Sequence, residues 1–307
     1  MEKTTLSAAP RFPEFKRIEL ADRDLIHARF QAYAPEISEL TFTNLFIWRH
    51  YYQFQWSLQG DILLILAHPL NWGYYLLAPV GGASRAELVP KLLDWLCEEK
   101  EECTPRIERA DARLIRELGP AAGLSVEPAE DQFDYVYATA DLINLTGRRY
   151  HAKKNHINRF SKNNRFEYRS LTPELAEASI HVLKRWCDWR ECEKSPLMRA
   201  EFDAVHEALL HFVPLELGGG AILVEGEIMA FALGERLNPG TAVIHAEKAA
   251  PNIPELFAMI NQQVCAHEFA GFPHINREQD LGEPGLRRAK RSYHPVQMVE
   301  KYRIKKA

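Results

Sequence analysis

The stretch from His274 to Pro295 constrains the fold of this 307-residue chain more than any other part of the sequence. An apolar, helix-like segment precedes it, and Pro284 stands where a short helix tolerates proline best, in its first turn. Asp280 precedes this predicted helix. Arg287 and Lys290 lie on the helix three residues apart, a spacing that places both cations on one helix face. The pattern predicts that Asp280 ends a strand and that a cationic helix follows. Such a charge cluster is typical of a functional site, although structural ion pairs give the same pattern.

Helix and strand signals alternate along the first half of the chain. A hairpin is predicted where Gln53–Trp56 and Ile62–Leu66 flank a Gln-Gly-Asp turn, and a strand is predicted over Phe133–Leu145. Helical segments lie between these strands, which is the order of a mixed α/β layer. The pattern is interrupted between Asn144 and Tyr150, so we predict two domains, residues 1–146 and 147–307.

The second half has the same rough content of helices and strands. A basic helix is predicted over Tyr150–Lys162, and another opens with a capping residue and a proline at Thr172-Pro173. Gly218–Gly220 predicts a turn, Pro254 the start of a further helix, and Val296–Ile304 a final strand. The two halves together predict an α/β (α+β) protein with mixed sheets flanked by helices.

The composition is that of a globular protein, with 46% hydrophobic and 26% charged residues. Its most apolar run, Ile62–Ala67, is far shorter than the roughly 20 residues that a membrane-spanning helix needs. The five cysteines are irregularly spaced, and Cys187 and Cys192 do not face each other if both lie on one helix. We therefore expect no disulfide framework, no zinc site, no membrane span and a cytoplasmic location.

Two basic segments interrupt an otherwise acidic chain. Residues 147–169 and residues 285–306 each carry a net charge of +7, while the whole chain carries −4. Basic segments on an acidic background favour a localised anionic partner such as phosphate or nucleic acid, although solvated helix faces have the same composition. The sequence has no Gly-x-Ser-x-Gly nucleophile elbow and no Walker motif. Its paired histidines are five residues apart, a spacing that does not suit metal ligands on a helix, so no metal is expected.

Four segments carry a family resemblance. The motif Ile275-Asn-Arg-Glu-Gln-Asp-Leu-Gly-x-x-Gly-Leu-Arg-x-x-Lys-x-Ser-Tyr-x-Pro295, together with Glu247-Lys248, Leu40–Trp48 and Lys153–Phe160, resembles the DUF2156 family. That family is similar to the cytosolic catalytic domain of phosphatidylglycerol lysyltransferases. The resemblance implies two GNAT-type acyltransferase domains in tandem, as in the Fem-type peptidoglycan aminoacyltransferases.

The resemblance also implies an activity, namely aminoacyl transfer from aminoacyl-tRNA to an amine or hydroxyl acceptor, either a small molecule or a surface. No permanently bound cofactor is expected. An acyl-CoA-dependent N-acyltransferase is one alternative, although Lys248–Glu255 replaces the glycine-rich CoA signature. A non-catalytic module that binds tRNA or phosphate is another alternative, and the oligomeric state stays open.

The candidate site residues follow from the chemistry of the resemblance. Transfer requires a group that positions the amine or takes its proton, and cations that hold the carbonyl oxygen or a phosphate. We predict that Glu247, Asp280 and Lys290 are catalytic, that Lys290 is partly exposed, and that these three reach one cavity together with Arg287. The substrate-binding candidates are Arg287, Ser292, Tyr293, Lys153, Lys154 and Arg159.

Overall fold

A computed structural model describes residues 9–70, 72–120, 123–253 and 255–307. Its strands are β1 (Lys16–Arg17), β2 (Gln55–Gln59), β3 (Ile62–Ala67), β4 (Tyr75–Leu77), β5 (Arg106–Asp111), β6 (Leu124–Pro128), β7 (Asp134–Ala138), β8 (Phe166–Ser170), β9 (Gly218–Val224), β10 (Glu227–Asn238), β11 (Thr241–Ala249), β12 (His274–Asn276), β13 (Gln297–Val299) and β14 (Lys301–Lys306). Its α-helices are α1 (Arg23–Tyr33), α2 (Phe42–Ile47), α3 (Arg49–Tyr52), α4 (Arg85–Glu99), α5 (Ala112–Leu118), α6 (Thr139–Asn144), α7 (His151–Asn163), α8 (Pro173–Arg190), α9 (Pro196–Leu210), α10 (Leu256–His267) and α11 (Pro284–Arg291).

The chain divides into two compact units. One contains the residues up to Tyr33, Trp48–Ala129 and Lys301–Ala307, and the other contains Ala34–Ile47 and Glu130–Glu300. The sequence placed the boundary at 146/147, but β7 pairs with β12 and β13 and so belongs to the second unit. The interruption between residues 144 and 150 instead marks the end of α6, where Leu145 adopts the left-handed conformation. A helix end and a domain boundary give the same local sequence signal.

The first unit is built on a seven-stranded mixed sheet with the order β1-β2-β3-β4-β5-β14-β6. The predicted hairpin is present, because β2 and β3 pair antiparallel across a turn in which Gly60 has a φ of 62°. Glycine adopts this left-handed conformation without steric cost. The apolar face of α4, with Leu92 and Leu96 fully buried, packs into the core of this unit.

The second unit has a seven-stranded mixed sheet with the order β13-β7-β12-β11-β10-β9-β8, in which only the β11–β12 pair is parallel. On the interior strand β10, Ala230 and Ala232 join the core that contains α10 residues, while Phe231 and Leu233 are also fully buried. Successive side chains of a strand point to opposite faces, so helices cover both faces of this sheet. The prediction of an α/β protein with two mixed sheets flanked by helices is confirmed.

Three predicted elements differ from the structure. Only the first half of Phe133–Leu145 is a strand, β7, and the rest forms α6. The predicted strand Val296–Ile304 is two strands, because β13 pairs with β7 in one sheet and β14 pairs with β5 and β6 in the other. Gly218–Gly220 is the start of β9 and not a turn, because these residues pair with β10. At Gly219 and Gly220, neighbouring groups lie too close for a side chain. A Cβ on Gly219 would lie 2.3 Å from the carbonyl oxygen of Ala232.

The helices predicted over Tyr150–Lys162 and after Thr172-Pro173 are present as α7 and α8, and the cysteines require one correction. The Thr172 side chain caps α8 by accepting a hydrogen bond from Leu175 N–H, as expected for a capping residue before Pro173. The structure pairs Cys187 with Cys192, contrary to the sequence prediction. Both were assumed to lie on one helix, but α8 ends before Cys192, and the chain turns back at Glu191 in the left-handed conformation. Pro254 lies outside the described residues, and α10 begins at Leu256.

Candidate functional site

The turn between β12 and α11 carries the charged motif, and Asp280 is its anchor. Asp280 does not end a strand, since β12 stops at Asn276. Its buried carboxylate accepts hydrogen bonds from Arg287 Nε at 2.7 Å, from the Tyr135 hydroxyl at 2.6 Å and from Gly282 N–H at 2.9 Å. Burial alone would raise the pKa of Asp280, but these donors lower it to about 2. A carboxylate so fully engaged closes the turn and is a poor proton acceptor.

Lys290 is buried, with an exposed fraction of 9%, and is not partly exposed as predicted. Its ammonium donates to the carbonyl oxygens of Arg277 and Glu278, the latter at 3.1 Å, and thereby clamps the turn from within the unit. Burial and the nearby Arg277 guanidinium lower the pKa of Lys290 to about 8. The helix spacing correctly placed Lys290 on α11 near the turn, but spacing carries no information on burial.

Glu247, near the end of β11, binds Arg277 and Asn261. Its Oε2 accepts a hydrogen bond from Arg277 Nη2, and its Oε1 accepts one from Asn261 Nδ2 at 2.7 Å. The side chains of Glu247 and Arg277 are only 12% and 13% exposed, and Asn261 is fully buried. Burial opposes the charge of Arg277, but Glu247 and neighbouring groups raise its pKa above the ordinary value.

Two hydrogen-bonding atoms at the Glu247 carboxylate have no partner among the described residues. They are Arg277 Nη1, a donor, and Asn261 Oδ1, an acceptor. Buried polar atoms are almost always paired, so unpaired ones call for a specific explanation, such as a ligand that supplies the missing groups. We refer to Glu247, Asn261 and Arg277 as the Glu247 cluster.

Aromatic rings and a second cation border the Glu247 cluster. The Arg277 guanidinium carbon lies 5.6 Å from the Tyr137 ring centroid and 4.8 Å from that of Tyr293. The Lys153 ammonium on α7 lies 4.1 Å from the same Tyr293 centroid. Burial raises the pKa of Tyr293 to about 12, so its hydroxyl stays protonated at neutral pH.

The predicted residues therefore separate into groups. Glu247, Tyr293 and Lys153 surround Arg277, whereas Asp280 pairs with Arg287 and no described hydrogen bond or ion pair joins Asp280 to Glu247. Three other predicted residues lie apart from the Glu247 cluster. Lys154 is exposed on α7, Arg159 pairs with Glu255, and the Ser292 hydroxyl donates to the Ala289 carbonyl oxygen at 2.6 Å. The expectation that all four charged residues reach one cavity therefore has no support in these contacts.

Sequence reasoning missed Arg277 and Asn261 as site residues. Arg277 is part of the quoted motif, but it stands beside more conspicuous acids, and Asn261 lies within the apolar face of α10. A polar amide on a fully buried helix face was the one available signal, because such a group needs a partner.

A buried histidine supports the turn from another direction. The side chain of His245, on β11, is 1% exposed and lies between two carboxylates, with Nδ1 2.9 Å from Glu278 and Nε2 2.9 Å from Glu235. Burial alone would lower the pKa of His245, but the two carboxylates raise it to about 9. His245 is therefore an imidazolium at neutral pH that holds the side chain of Glu278.

Neither a metal site nor a membrane-spanning helix is found in the parts of the chain that the structure describes. No group of three or more His, Cys, Asp or Glu side chains within residues 9–70, 72–120, 123–253 and 255–307 is placed to hold a metal ion. None of the helices over those residues has the length and apolar character needed to cross a bilayer.

Solved structures show where the fold recurs. A conserved protein of unknown function from Bacteroides thetaiotaomicron VPI-5482 matches with 32% identity over 95% of this chain and 99% of its own, at a TM-score of 0.87. The C-terminal domain (DUF2156) of a putative lysylphosphatidylglycerol synthetase from Agrobacterium fabrum matches with 11% identity, over 94% and 93% of the two chains, at a TM-score of 0.65. FemX matches with 11% identity, over 95% and 96%, at a TM-score of 0.51. The chain therefore shares its fold with these three structures over nearly its whole length.

A comparison with curated protein sequences found no match. The family model for the C-terminal region of phosphatidylglycerol lysyltransferase matches residues 30–305, which is most of the chain. The protein therefore belongs to the phosphatidylglycerol lysyltransferase C-terminal family.

Proposed function

We propose that this protein is an aminoacyltransferase and that the Glu247 cluster holds the aminoacyl group. The unpaired donor Arg277 Nη1 and the unpaired acceptor Asn261 Oδ1 carry this proposal, because both are buried beside one carboxylate. An α-aminoacyl group offers the complementary pair, a carbonyl oxygen that accepts and an amine that donates. An acetyl group lacks the amine and would leave Asn261 Oδ1 unpaired, at a cost typical of a buried polar atom without a partner.

The chemistry requires positioning and charge stabilisation more than activation. The nitrogen or oxygen of the acceptor attacks the ester carbonyl carbon, and the hydroxyl of the donor leaves when the tetrahedral intermediate collapses. The proton lost by the acceptor goes to this leaving oxygen. Arg277 stabilises the oxyanion through a donor that is fixed before the reaction, and Glu247 and Asn261 orient the α-amino group. The earlier assignment of Asp280 and Lys290 as catalytic stays a prediction, while their contacts favour a role in positioning Arg277.

Aminoacyl-tRNA is the donor that we favour. The family is named for lysyl transfer, and the CoA signature before α10 is replaced in the sequence. Basic residues on the exposed side of α7, among them Lys154 and Lys162, provide charge for a polyanion. The acceptor class is an amine or a hydroxyl, on a small molecule or on a surface. We place the reaction in the cytoplasm, because charged tRNA is found there.

A transfer assay tests the proposal. The protein is incubated with total tRNA charged with radiolabelled amino acids and with a cell extract depleted of protein as the source of acceptors, and the loss of label from tRNA and its appearance in new products are measured. Wild type is expected to transfer label, and Glu247→Gln is expected to lose about 10²–10³-fold of the rate, the usual loss when a preorganised polar group is removed. Glu227→Gln, at an exposed position on β10, is the matched control.

Three results would contradict the proposal. One is the absence of enzyme-dependent release from every aminoacyl-tRNA. Another is a Glu247→Gln variant as active as wild type. The third is release of CoA from acyl-CoA in a parallel chromatographic assay without any transfer from tRNA, which would favour the N-acyltransferase alternative. Binding of tRNA without turnover of either donor would favour the non-catalytic module.

A further inference from the structure

Lys153 is a partly buried cation without a counter-ion. Its ammonium lies at the ring of Tyr293, and no hydrogen bond or ion pair reaches it from the residues that the structure describes. A lysine that is partly withdrawn from water usually has a counter-ion, because desolvating an unpaired charge is costly. Lys153 therefore differs from Lys290, which donates to two carbonyl oxygens.

The carboxylate whose charge acts on Lys153 is that of Glu247, which already binds two other side chains. Glu247 uses Oε2 for Arg277 and Oε1 for Asn261, so neither oxygen is left without a partner for Lys153. Burial, together with repulsion from Arg277, lowers the pKa of Lys153 to about 8, which Glu247 opposes only in part. The two cations border the same Tyr293 ring, and Glu247 forms an ion pair with Arg277 but not with Lys153.

Arg277 also has unused hydrogen-bonding capacity. Its Nη2 engages Glu247, while its Nη1 is buried without a partner among the described residues. Nη1 carries two N–H groups, so one can serve the carbonyl oxygen of the proposed transfer while the other, together with the Lys153 ammonium, donates to an anionic group placed near both cations. Its negative charge would also offset the repulsion between the two cations. The hydrogen bonds would be charge-assisted, and such bonds are among the strongest that a protein forms.

We infer that Lys153 and Arg277 bind an anionic group of a substrate, a carboxylate or a phosphate, and that a cationic side chain is not accepted between them. This inference rests on the proposed function, because it assigns a ligand to the same cluster. It sets this chain apart from the lysyl transfer after which the family is named, because a lysyl side chain placed there would add a third positive charge.

Small-anion binding tests the inference without turnover. Sulfate, as a stand-in for a phosphate group, and acetate, as a carboxylate, are titrated by calorimetry and thermal shift at an ionic strength held constant with sodium chloride. Wild type and Lys162→Gln, which removes an exposed lysine from the same helix, are expected to bind at least one of the two anions. Lys153→Gln should weaken that binding at least about tenfold, as expected for the loss of a charge-assisted bond, and Lys153→Arg should restore it.

The outcomes separate the two sources and the two proposals. Binding of sulfate alone indicates a phosphate group, and binding of acetate alone indicates a carboxylate. The inference is overturned if neither anion binds, or if Lys153→Gln binds as tightly as Lys162→Gln. Anion binding that depends on Lys153 in a protein that transfers no aminoacyl group would leave the inference standing and remove the proposed function. Aminoacyl transfer by a protein whose anion binding does not depend on Lys153 would overturn the inference and leave the proposed function standing.

Discussion

Replacing Lys290 with methionine tests whether this residue is a desolvated cation that clamps the turn. The substitution keeps most of the side-chain volume but removes the ammonium that donates to the carbonyl oxygens of Arg277 and Glu278. The Glu278 oxygen keeps the Tyr135 N–H as a second donor at 3.2 Å, whereas the Arg277 oxygen has no other donor among the described residues. Leaving that carbonyl unpaired costs about 1–3 kcal/mol.

An opposing contribution comes from the buried charge. The pKa of Lys290 falls from 10.5 to about 8, and a shift of this size corresponds to about 3 kcal/mol of net cost from burial and from repulsion by Arg277. Methionine removes this cost. At pH 7 we therefore expect the free energies of unfolding of wild type and Lys290→Met to agree within about 2 kcal/mol, since the two effects oppose each other.

The difference in stability between wild type and Lys290→Met should change with pH, and the direction of the change tests the reasoning. Between about pH 8 and 10.5 the unfolded chain holds a proton on Lys290 that the folded chain has released, so the stability of wild type rises with pH. Relative to Lys290→Met, wild type should gain about 2–3 kcal/mol between pH 8 and 10. The neutral amine still donates to both carbonyl oxygens, so the clamp persists.

Urea unfolding of both proteins from pH 7 to pH 10 measures this difference. Groups that titrate in both proteins, including His245 and Lys153, cancel from it. Lys162→Met, which removes an exposed lysine and keeps Lys290, should follow wild type over this pH range. A constant difference between wild type and Lys290→Met over this range would refute the reasoning, because it would mean that the ammonium is not desolvated in the folded chain.

Three further predictions concern stability and binding. The pKa of His245 is raised to about 9, so the stabilisation from its charge should be complete below about pH 6.5 and lost as the pH rises through 9. Urea unfolding of wild type and His245→Gln measures this effect, and a stability difference between them that stays constant with pH would contradict it. Gly234→Ala should destabilise by about 2–4 kcal/mol because its Cβ would lie 2.1 Å from the Val243 carbonyl oxygen, whereas Gly271→Ala, with open space around it, should be nearly neutral by thermal unfolding. Transfer RNA should bind with an affinity that falls roughly tenfold or more between low and physiological salt, and anisotropy titrations showing no binding at low salt would argue against the tRNA donor.

The sequence predicted those parts of the fold that depend on local signals. The hairpin at Gly60, the cap at Thr172 and the helix after Pro284 are all present, because each depends on residues within a few positions of one another. The pairing partners of β7, β13 and β14 could not be predicted in this way, because the sequence of a strand does not specify which distant strand it pairs with. The predicted domain boundary differs from the observed division of the chain for the same reason.

The candidate site shows the same limit at the level of side chains. The sequence predicted that Asp280, Arg287 and Lys290 lie close together, and two of them form an ion pair. It gave no means of assigning Glu247 its partner, because Arg277 and Asn261 come from a turn and a helix that only the fold brings to β11. Burial of Lys290 was equally hidden, because a lysine on a short basic helix is ordinarily exposed.

The charges of the motif nevertheless have a common effect, which is to fix one guanidinium. Asp280 closes the turn by binding Arg287, and Lys290 holds the backbone of the turn through two carbonyl oxygens. His245 binds the carboxylate of Glu278 on the same turn. From this turn, the Arg277 guanidinium reaches β11 and donates a hydrogen bond to Glu247. A donor that is fixed in advance of the reaction is more effective towards a developing oxyanion. Under the proposed function, these ion pairs therefore serve the transfer by holding Arg277 in position.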